Sequence, residues 1–457
     1  MFKALPFVAI LLIWASCSTV EDNVSFDPNL EILFSNDSVA FDTLLSDSRS
    51  ATQRLVIFNP NENALVLSEI FLGKDAGSDY SIIVNGKEGK GQLNEQILGG
   101  DSLMILVEAN ISPRNQNTPY LVKDSIIFNW NGNSEHVKLV AWGQDGNRLQ
   151  SQVVGDVTWT NDRPYVISDT VLVRPNSQLT IEAGTIVFFE NDAALFVQGS
   201  LVALGDAENH ILFRNARFDG IYDQVPGQWN GIYFLEGSAS NQIEYAEIFN
   251  GQVGLRVGSP DDDAIPDLVV SNTQIYNMSS AGILAFTSDL IATNCLIYNC
   301  GSYLIGNFAG GNYTYQHCTF SNDQSFFVHN EPSVQFSDNI LIGENELLTD
   351  NLTIEMTNCI VWGSQGEELL INTGGDAIVS AILTTNIIRS GEEIPGNFVS
   401  QTSNFPGFSN RFLFDYSLDT LAFAQNKGTA IGVNFDISGE SRDAIPDIGA
   451  FERIDNK

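Results

Sequence analysis

A six-residue pattern recurs eight times between residues 215 and 390, and this repeat constrains the fold more than any other feature of the chain. The repeats start at Asn215, Tyr245, Asn272, Asn294, His317, Asp338, Asn358 and Thr385. Successive starts are therefore 20 to 30 residues apart. Coils of about 20–23 residues with occasional longer loops are typical of a parallel β-helix, in which each coil stacks on the previous one.

Two columns of the repeat predict the interior of such a helix. The fourth position is apolar in every repeat, with Phe218, Ile248, Ile275, Ile297, Phe320, Leu341, Val361 and Ile388. Because side chains alternate between the faces of a strand, the second and fourth positions should both point inward, at about 4.8 Å per coil. The second position holds the small residues Ala216, Ala246, Thr273, Cys295, Cys318, Asn339, Cys359 and Asn386. The cysteines fit here as small core residues, and a Cys295–Cys318 disulfide is the alternative.

Segments on both sides extend the pattern and resemble bacterial right-handed parallel β-helix repeat proteins of the cell surface. The segments that carry the resemblance are Leu179–Phe189, Leu195–Gly205, Trp229–Phe234, Asn404–Phe408, Phe414–Leu418 and Pro446–Glu452. The resemblance implies an all-β, pectate-lyase-like solenoid over residues 150–403, of about ten coils. It also implies that residues 404–457 form a closing segment packed on the helix. This fold hosts lyases, hydrolases, adhesins and inert stalks alike, so it does not define an activity.

An antiparallel β-sandwich is expected over residues 30–147, where short β-branched and aromatic runs alternate with turn signals. Its clearest hairpin turns at Asn131-Gly132, because both residues tolerate positive φ. The segments Leu55–Asn59, Gly99–Leu103 and Val140–Gly143 resemble immunoglobulin-like modules. That resemblance implies a spacer or docking unit.

Residues 1–17 have the features of an export signal, with Lys3 followed by the apolar run Leu5–Trp14 and the small residues Ala15 and Ser16. The run before Cys17 resembles a bacterial lipobox, in which the cysteine is acylated and becomes the N-terminus. This resemblance implies a lipoprotein with a linker over residues 18–29, anchored to the outer membrane of a Gram-negative envelope and exposed on the cell surface. A plain secretory signal is the alternative.

The charge balance excludes one class of partner. The chain has 21 Lys and Arg against 56 Asp and Glu, a net charge of −35. There is no lysine between Lys138 and Lys427, so a nucleic acid would be repelled by most of the surface. The remaining partners to consider are the membrane through the acyl anchor, a polysaccharide or an envelope protein.

The outward fifth position of the repeat contains a candidate binding surface. Phe249, Tyr276 and Tyr298 occupy it in three consecutive repeats and predict an aromatic stripe that could bind glycans. Alternatively, an insertion loop or another chain covers the stripe. The third position becomes apolar toward the C-terminus, which indicates a covered face. We therefore expect Ile342 and Trp362 to lie beneath the phenylalanine-rich closing segment.

The acidic residues of the repeat region suggest two further kinds of site. Asp261, Asp262, Asp263 and Asp267 offer hard oxygen ligands for Ca²⁺, although their spacing matches no EF-hand loop and a solvated acidic loop is more common, and no other cofactor is indicated. Catalysis has little support, because no lysine and no patterned histidine accompanies the acidic residues. The sequence thus predicts a non-catalytic surface lipoprotein for adhesion or glycan and envelope interaction through the side face of the helix. A polysaccharide lyase or glycoside hydrolase acting in a lateral groove is the alternative.

Overall fold

The computed structural model of the chain describes residues 23–74, 77–217, 220–258, 265–323, 326–343, 346–401 and 406–453. It divides into two compact units, residues 1–144 and residues 145–457. The boundary lies slightly before the expected one, because Asn147–Leu149 already forms a strand of the second unit. The linker expected over residues 18–29 is partly built into the first unit, since Val24 forms a β-bridge with Ala64.

The first unit is an antiparallel sandwich of two five-stranded sheets. Its strands are β1 (Leu33–Phe34), β2 (Ser38–Leu45), β3 (Gln53–Phe58), β4 (Leu65–Leu72), β5 (Tyr80–Val84), β6 (Lys87–Gly89), β7 (Gly91–Ile97), β8 (Ser102–Ala109), β9 (Tyr120–Trp130) and β10 (Asn133–Gln144). The sheet orders are β1-β3-β8-β5-β6 and β2-β10-β9-β4-β7. Only the β2–β10 pair is parallel within this set. The β9–β10 hairpin turns at Asn131-Gly132 as predicted, with positive φ at both residues.

The second unit is a parallel β-helix. Its first strands are β11 (Asn147–Leu149), β12 (Gln152–Val154), β13 (Val157–Trp159), β14 (Tyr165–Ile167), β15 (Thr170–Val173), β16 (Gln178–Glu182), β17 (Ile186–Phe189), β18 (Ala194–Val197), β19 (Ser200–Leu204), β20 (Ile211–Asn215), β21 (Gly231–Phe234), β22 (Asn241–Glu244), β23 (Ala246–Phe249), β24 (Val253–Val257), β25 (Leu268–Ser271) and β26 (Gln274–Met278). The later strands are β27 (Ala281–Thr293), β28 (Leu296–Cys300), β29 (Tyr303–Gln316), β30 (Thr319–Asn322), β31 (Val334–Ser337), β32 (Asn339–Ile342), β33 (Glu346–Thr349), β34 (Leu352–Thr357), β35 (Ile360–Gly363), β36 (Leu369–Asn372), β37 (Val379–Thr384), β38 (Ile387–Ile388), β39 (Phe398–Val399), β40 (Phe408–Asn410) and β41 (Asp415–Leu418).

Each coil contributes in turn to three parallel sheets, which we call sheets I, II and III. Sheet I contains β11, β14, β17, β20, β23, β26, β28, β30, β35, β38 and β39. Sheet II follows the path β12, β15, β18, β21 and β24, and sheet III the path β13, β16, β19, β22 and β25. The long strands β27 and β29 pass through both sheet II and sheet III, after which β31 and β36 continue sheet II and β34 and β37 continue sheet III.

The predicted inward column of sheet I is confirmed over six coils. Ile248, Ile275, Ile297, Phe320, Val361 and Ile388 lie opposite one another in consecutive strands and are fully buried. They form part of one continuous core with the inward residues of sheets II and III. Burial of this apolar surface along the whole helix supplies the main driving force for its folding.

One member of the predicted column is wrong, and the outcome for another cannot be read from the described residues. Leu341 is 60% exposed because Asn339–Ile342 pairs with Glu346–Thr349 in an antiparallel hairpin, while Phe320 pairs directly with Val361. The first coil uses Phe213 opposite Ile248, so the strand precedes the predicted segment. Phe218 lies outside the described residues. Insertions at the corners of the coil shift the six-residue pattern in both places.

The turn residues before and after the strands of sheet I form two ladders of side-chain amides. Before the strands, Asn294 donates to Asn272 at 3.0 Å, and Asn358 lies 2.9 Å from His317 Nε2. After the strands, Asn277 donates to Asn250 at 3.1 Å. The residues of both ladders adopt positive φ between 48° and 65°, a conformation that Asn tolerates well. The repeated asparagines therefore stabilise the corners of each coil.

The cysteines have the predicted structural role. Cys295, Cys318 and Cys359 lie in the core on three consecutive coils, and they are buried and free, like Cys300. Cys318 N donates to Cys359 Sγ at 3.4 Å. The alternative of a Cys295–Cys318 disulfide is not present in this structure.

The register predicts different losses of stability for two substitutions at the same position of the sequence repeat. Ile297→Ala should lower the free energy of unfolding by about 2–5 kcal/mol, because it leaves a cavity between Ile275 and Phe320. Leu341→Ala should change it by less than about 0.5 kcal/mol, because the side chain is exposed. Urea unfolding followed by circular dichroism measures both, and equal losses would contradict the register.

Candidate functional site

The predicted aromatic stripe exists, but its rings face one another rather than solvent. Phe249 and Tyr276 stack at a centroid distance of 4.9 Å with an interplanar angle of 4°, and Tyr276 and Tyr298 at 4.9 Å with 7°. Both ends of the stack are also covered. The Arg214 guanidinium lies 5.0 Å from the Phe249 centroid, and Phe414 stacks on Tyr298 at 5.5 Å.

This geometry corrects the expectation of an exposed stripe. Phe249 is only 7% exposed, and burial raises the pKa of the Tyr276 and Tyr298 hydroxyls well above their usual range. A sugar ring stacks on the flat face of an aromatic side chain, and both faces of each ring are already in contact. Glycan binding by these three residues stays a prediction, and the stack offers it no free face.

The closing segment, described over residues 406–453, packs as expected on the outer face of the helix, where it covers sheet I between β28 and β38. Two apolar clusters join it to that face, and they contain Leu296, Ile360, Trp362, Ile387, Tyr416, Leu418, Ala422, Ala424, Ile437, Ile448 and Ala450. Trp362 is 1% exposed beneath the segment, which confirms its prediction. Ile342 is 46% exposed in the β32–β33 hairpin, so its predicted cover is wrong. Phe405 lies outside the described residues.

Polar contacts fix the closing segment to the amide ladder that precedes the strands. Arg442, whose side chain is 1% exposed, donates to Asn294 Oδ1 at 2.9 Å and pairs with Glu452 at 3.1 Å. Thr429 N donates to Asn358 Oδ1 at 2.9 Å, and Asn358 donates to Thr429 O at 2.8 Å. The ladder therefore serves as the docking edge for the segment.

His317 lies in the same ladder, at a position where neighbouring coils carry asparagine. Its side chain is buried beneath the closing segment. Burial, reinforced by the nearby charge of Arg442, lowers the pKa of His317 from 6.5 to about 3. The imidazole is therefore neutral at physiological pH, and it acts as a hydrogen-bonding partner of Asn358.

The buried carboxylates hold backbone amides. Glu368 accepts hydrogen bonds from Ser333 Oγ at 2.5 Å and Gln365 N at 2.8 Å, and burial raises the pKa of its carboxyl group. Asp447 accepts from Asn426 N at 2.6 Å and Arg453 N at 2.7 Å, again with a pKa raised by burial. Raised pKa values can mark catalytic acids, and in this chain both groups accept hydrogen bonds from nearby backbone amides.

The predicted calcium site lies largely outside the described residues, which do not include Asp261, Asp262 or Asp263. Asp267 is 2% exposed and its Oδ2 accepts a hydrogen bond from Asp289 N at 2.9 Å. Within the described ranges, no group of three or more His, Cys, Asp or Glu side chains is arranged to hold a metal ion. Cys17 also lies outside them. No helix of the described chain is both long and apolar enough to span a bilayer.

The outer face of sheet II carries a second aromatic surface, which the sequence repeat did not reveal. We call it the sheet II strip, and it comprises Leu172, Phe196, Tyr233, Arg256, Leu284, Phe286 and Phe308. The first five lie opposite one another in consecutive strands, and Phe286 lies opposite Phe308. Their neighbours along each strand, such as Leu195, Ile232 and Leu255, are fully buried, so the strip points outward.

The rings of the strip keep part of their surface in solvent. Phe196 and Tyr233 are half-buried, with centroids 5.0 Å apart and planes tilted by 31°. Phe286 and Phe308 are half-buried at 6.0 Å and 39°. Arg256 is exposed, and its guanidinium carbon lies 5.8 Å from the Tyr233 centroid and 5.4 Å from that of Phe286. Aliphatic, aromatic and cationic side chains therefore follow one another along the helix axis, one per strand, at a strand spacing of about 4.8 Å.

A signal for this strip does exist in the sequence. Phe196 and Tyr233 are the outward aromatic residues of two alternating segments, Ala194–Val197 and Gly231–Phe234. Corner insertions separate them by 37 residues and place Arg256 another 23 residues on. That irregular spacing hides the column unless the strands are aligned through sheet II.

Comparison with known proteins agrees with this architecture. The family described as "Right handed beta helix region" matches residues 200–381, so the second unit is a right-handed parallel β-helix. Protein bark beetle of Drosophila melanogaster is 32% identical over 117 residues, which are 24% of this chain and 4% of that protein. The chain thus spans only a small part of that relative.

Two solved structures were also found to be similar. The catalytic unit of the GH87 α-1,3-glucanase from Streptomyces thermodiastaticus is 12% identical, with 80% of this chain and 77% of that chain covered and a TM-score of 0.33. The ASH/PapD-like domain of human CEP192 is 10% identical, with 31% of this chain and 97% of that chain covered and a TM-score of 0.18.

The depressed pKa of His317 predicts a pH-dependent stability. Below about pH 6.5 the unfolded chain binds a proton at this residue that the folded chain does not, so acid should destabilise the fold down to about pH 3. His317→Asn should remove about 1–2 kcal/mol of the loss between pH 7.5 and pH 5, measured by urea unfolding at both values. The exposed His136→Asn is the control. Identical pH dependence in His317→Asn and the native chain would refute a neutral buried imidazole.

Proposed function

We propose that this protein is a non-catalytic surface lipoprotein whose β-helix binds a glycan chain along the sheet II strip. The observation that carries the proposal is the row of partly exposed rings and apolar side chains, one per coil, from Leu172 to Leu284. The C–H face of a pyranose ring packs on such rings while its hydroxyl groups remain in water. The proposal therefore assigns glycan binding to sheet II, whereas the sequence predicted it on sheet I.

The shape of the strip favours a linear polymer over a protein partner. A stable protein interface buries about 800 Å² on each partner and includes a broad apolar centre. The strip is one to two side chains wide, and its rings are half-buried. A single extended glycan chain running along the helix axis would contact Phe196, Tyr233 and Leu284 in succession.

The non-catalytic role is supported by how the polar groups are used. The buried carboxylates Glu368 and Asp447 hold backbone amides, and Arg442 holds the closing segment. The side chains that form the strip include no carboxylate and no histidine. A binding role for the side face therefore agrees better with these residues than lyase or hydrolase chemistry does.

The proposal includes an anchor at Cys17 and exposure on the outer membrane. Its support is the sequence alone, in which an apolar run and small residues precede this cysteine. With an acyl chain at residue 17, the strands of the sandwich, which run from Leu33 to Gln144, would follow the anchor in the chain and precede the strands of the β-helix.

Glycan binding is tested by removing one ring of the strip. Affinity electrophoresis first identifies polysaccharides that slow the migration of the native chain. Phe196→Ala should bind these polysaccharides at least about 10-fold more weakly, because it removes one stacking surface. Phe412→Ala, which removes a 68% exposed ring from the closing segment, should leave binding unchanged. Equal binding by both variants and the native chain would refute the strip as the binding surface. Release of reducing or unsaturated ends during the assay would favour the enzymatic alternative.

The anchor is tested by Cys17→Ser in the original host. The native chain should incorporate a clickable palmitate analogue and fractionate with the outer membrane, and Cys17→Ser should do neither, because the acylated thiol is missing. Cys300→Ser, which changes a buried core thiol, is the matched control and should still be labelled. Labelling of Cys17→Ser would exclude this residue as the lipidation site.

A further inference from the structure

We propose that Arg256 binds a carboxylate of the ligand, so that the protein recognises a predominantly neutral glycan carrying isolated uronic acid residues. This inference rests on the proposed glycan binding by the sheet II strip and adds the chemical class of the ligand. The protein carries far more acidic than basic side chains. The chain has 56 acidic and 21 basic residues, and yet no described residue forms an ion pair with this exposed guanidinium, which lies near the rings of Tyr233 and Phe286.

Other arginines of the second unit use their charge internally. Arg148 pairs with Glu190 at 2.9 Å, Arg411 with Asp323 at 2.7 Å and Arg442 with Glu452 at 3.1 Å. Arg256 forms no ion pair or hydrogen bond with any residue in the described part of the chain. Because the guanidinium of Arg256 is exposed and pairs with no described carboxylate, it is available to bind an anionic group of a ligand.

The position of Arg256 suits a carboxylate on a sugar ring. Its guanidinium lies between the rings of Tyr233 and Phe286, at 5.8 Å and 5.4 Å from their centroids, which restricts its motion. A planar guanidinium matches a carboxylate with two parallel hydrogen bonds. A pyranose ring stacked on Phe196 or Tyr233 would bring a substituent of the next ring within reach of this group, because neighbouring strands are about 4.8 Å apart.

The surrounding charge selects against a polyanion. Two exposed carboxylates lie beyond the ends of neighbouring strands of the strip, Asp192 before β18 and Glu236 after β21. Together with the net charge of −35, they would repel a glycan with a carboxylate on every ring. A single carboxylate at Arg256 avoids most of that repulsion, because charges beyond about 8 Å are screened at physiological salt.

The inference is tested by calorimetric titration of the full chain with three probes: xylotriose, xylotriose carrying one glucuronate, and polyglucuronate. The glucuronate-bearing trisaccharide should bind most tightly. Arg256→Gln should weaken its binding roughly 10- to 100-fold, the effect of losing charge-assisted hydrogen bonds, and should weaken xylotriose binding much less, because that probe has no carboxylate. Arg54→Gln removes an exposed arginine from the sandwich and is the matched control.

The outcomes separate this inference from the proposal beneath it. If Phe196→Ala abolishes binding but Arg256→Gln binds both trisaccharides like the native chain, the strip binds glycans and the carboxylate contact is wrong. If Phe196→Ala has no effect either, the proposed function fails as well. Preferential binding of polyglucuronate, or no binding of the glucuronate-bearing trisaccharide by the native chain, would also overturn the inference.

Discussion

Contact between identical positions of successive coils is the constraint on which the second unit depends. Each inward side chain packs on its counterpart one strand away, as Ile275 does on Ile297 and Ile297 on Phe320. A coil cannot bury these residues alone, so it is stable only between its neighbours. The same register also aligns the outward positions. Both the closed stack of sheet I and the open strip of sheet II are therefore consequences of core packing.

The two outward aromatic columns differ because of what covers them. Toward the C-terminal end of sheet I the third positions are mostly apolar, and the closing segment buries Leu296 and Ile360 together with the end of the aromatic stack. On sheet II the column contains Arg256 and ends at Gly306, and its rings remain half-buried. Aromatic residues repeated once per coil thus stabilise the packing on sheet I and leave partly exposed rings on sheet II.

The sequence predicted the column of sheet I because its strands are short and flanked by the same turn residues. It correctly assigned Cys295 to a structural position in the core and placed Trp362 beneath the closing segment. It misplaced Leu341, because a hairpin inserted at a corner imitates the local pattern of a strand. It missed the strip because insertions of unequal length separate Phe196, Tyr233 and Arg256, and only pairing between strands brings them together.

The closing segment has a consequence for how the helix comes apart. A stack of coils with contacts only between neighbours can fray one coil at a time from its free end. Here Arg442, Ala450 and Thr429 bind Asn294, Thr319 and Asn358, which belong to three successive coils, so these coils cannot separate independently. The segment acts as a strap along the side of the stack, and it couples the loss of the last coil to the loss of coils well inside the array.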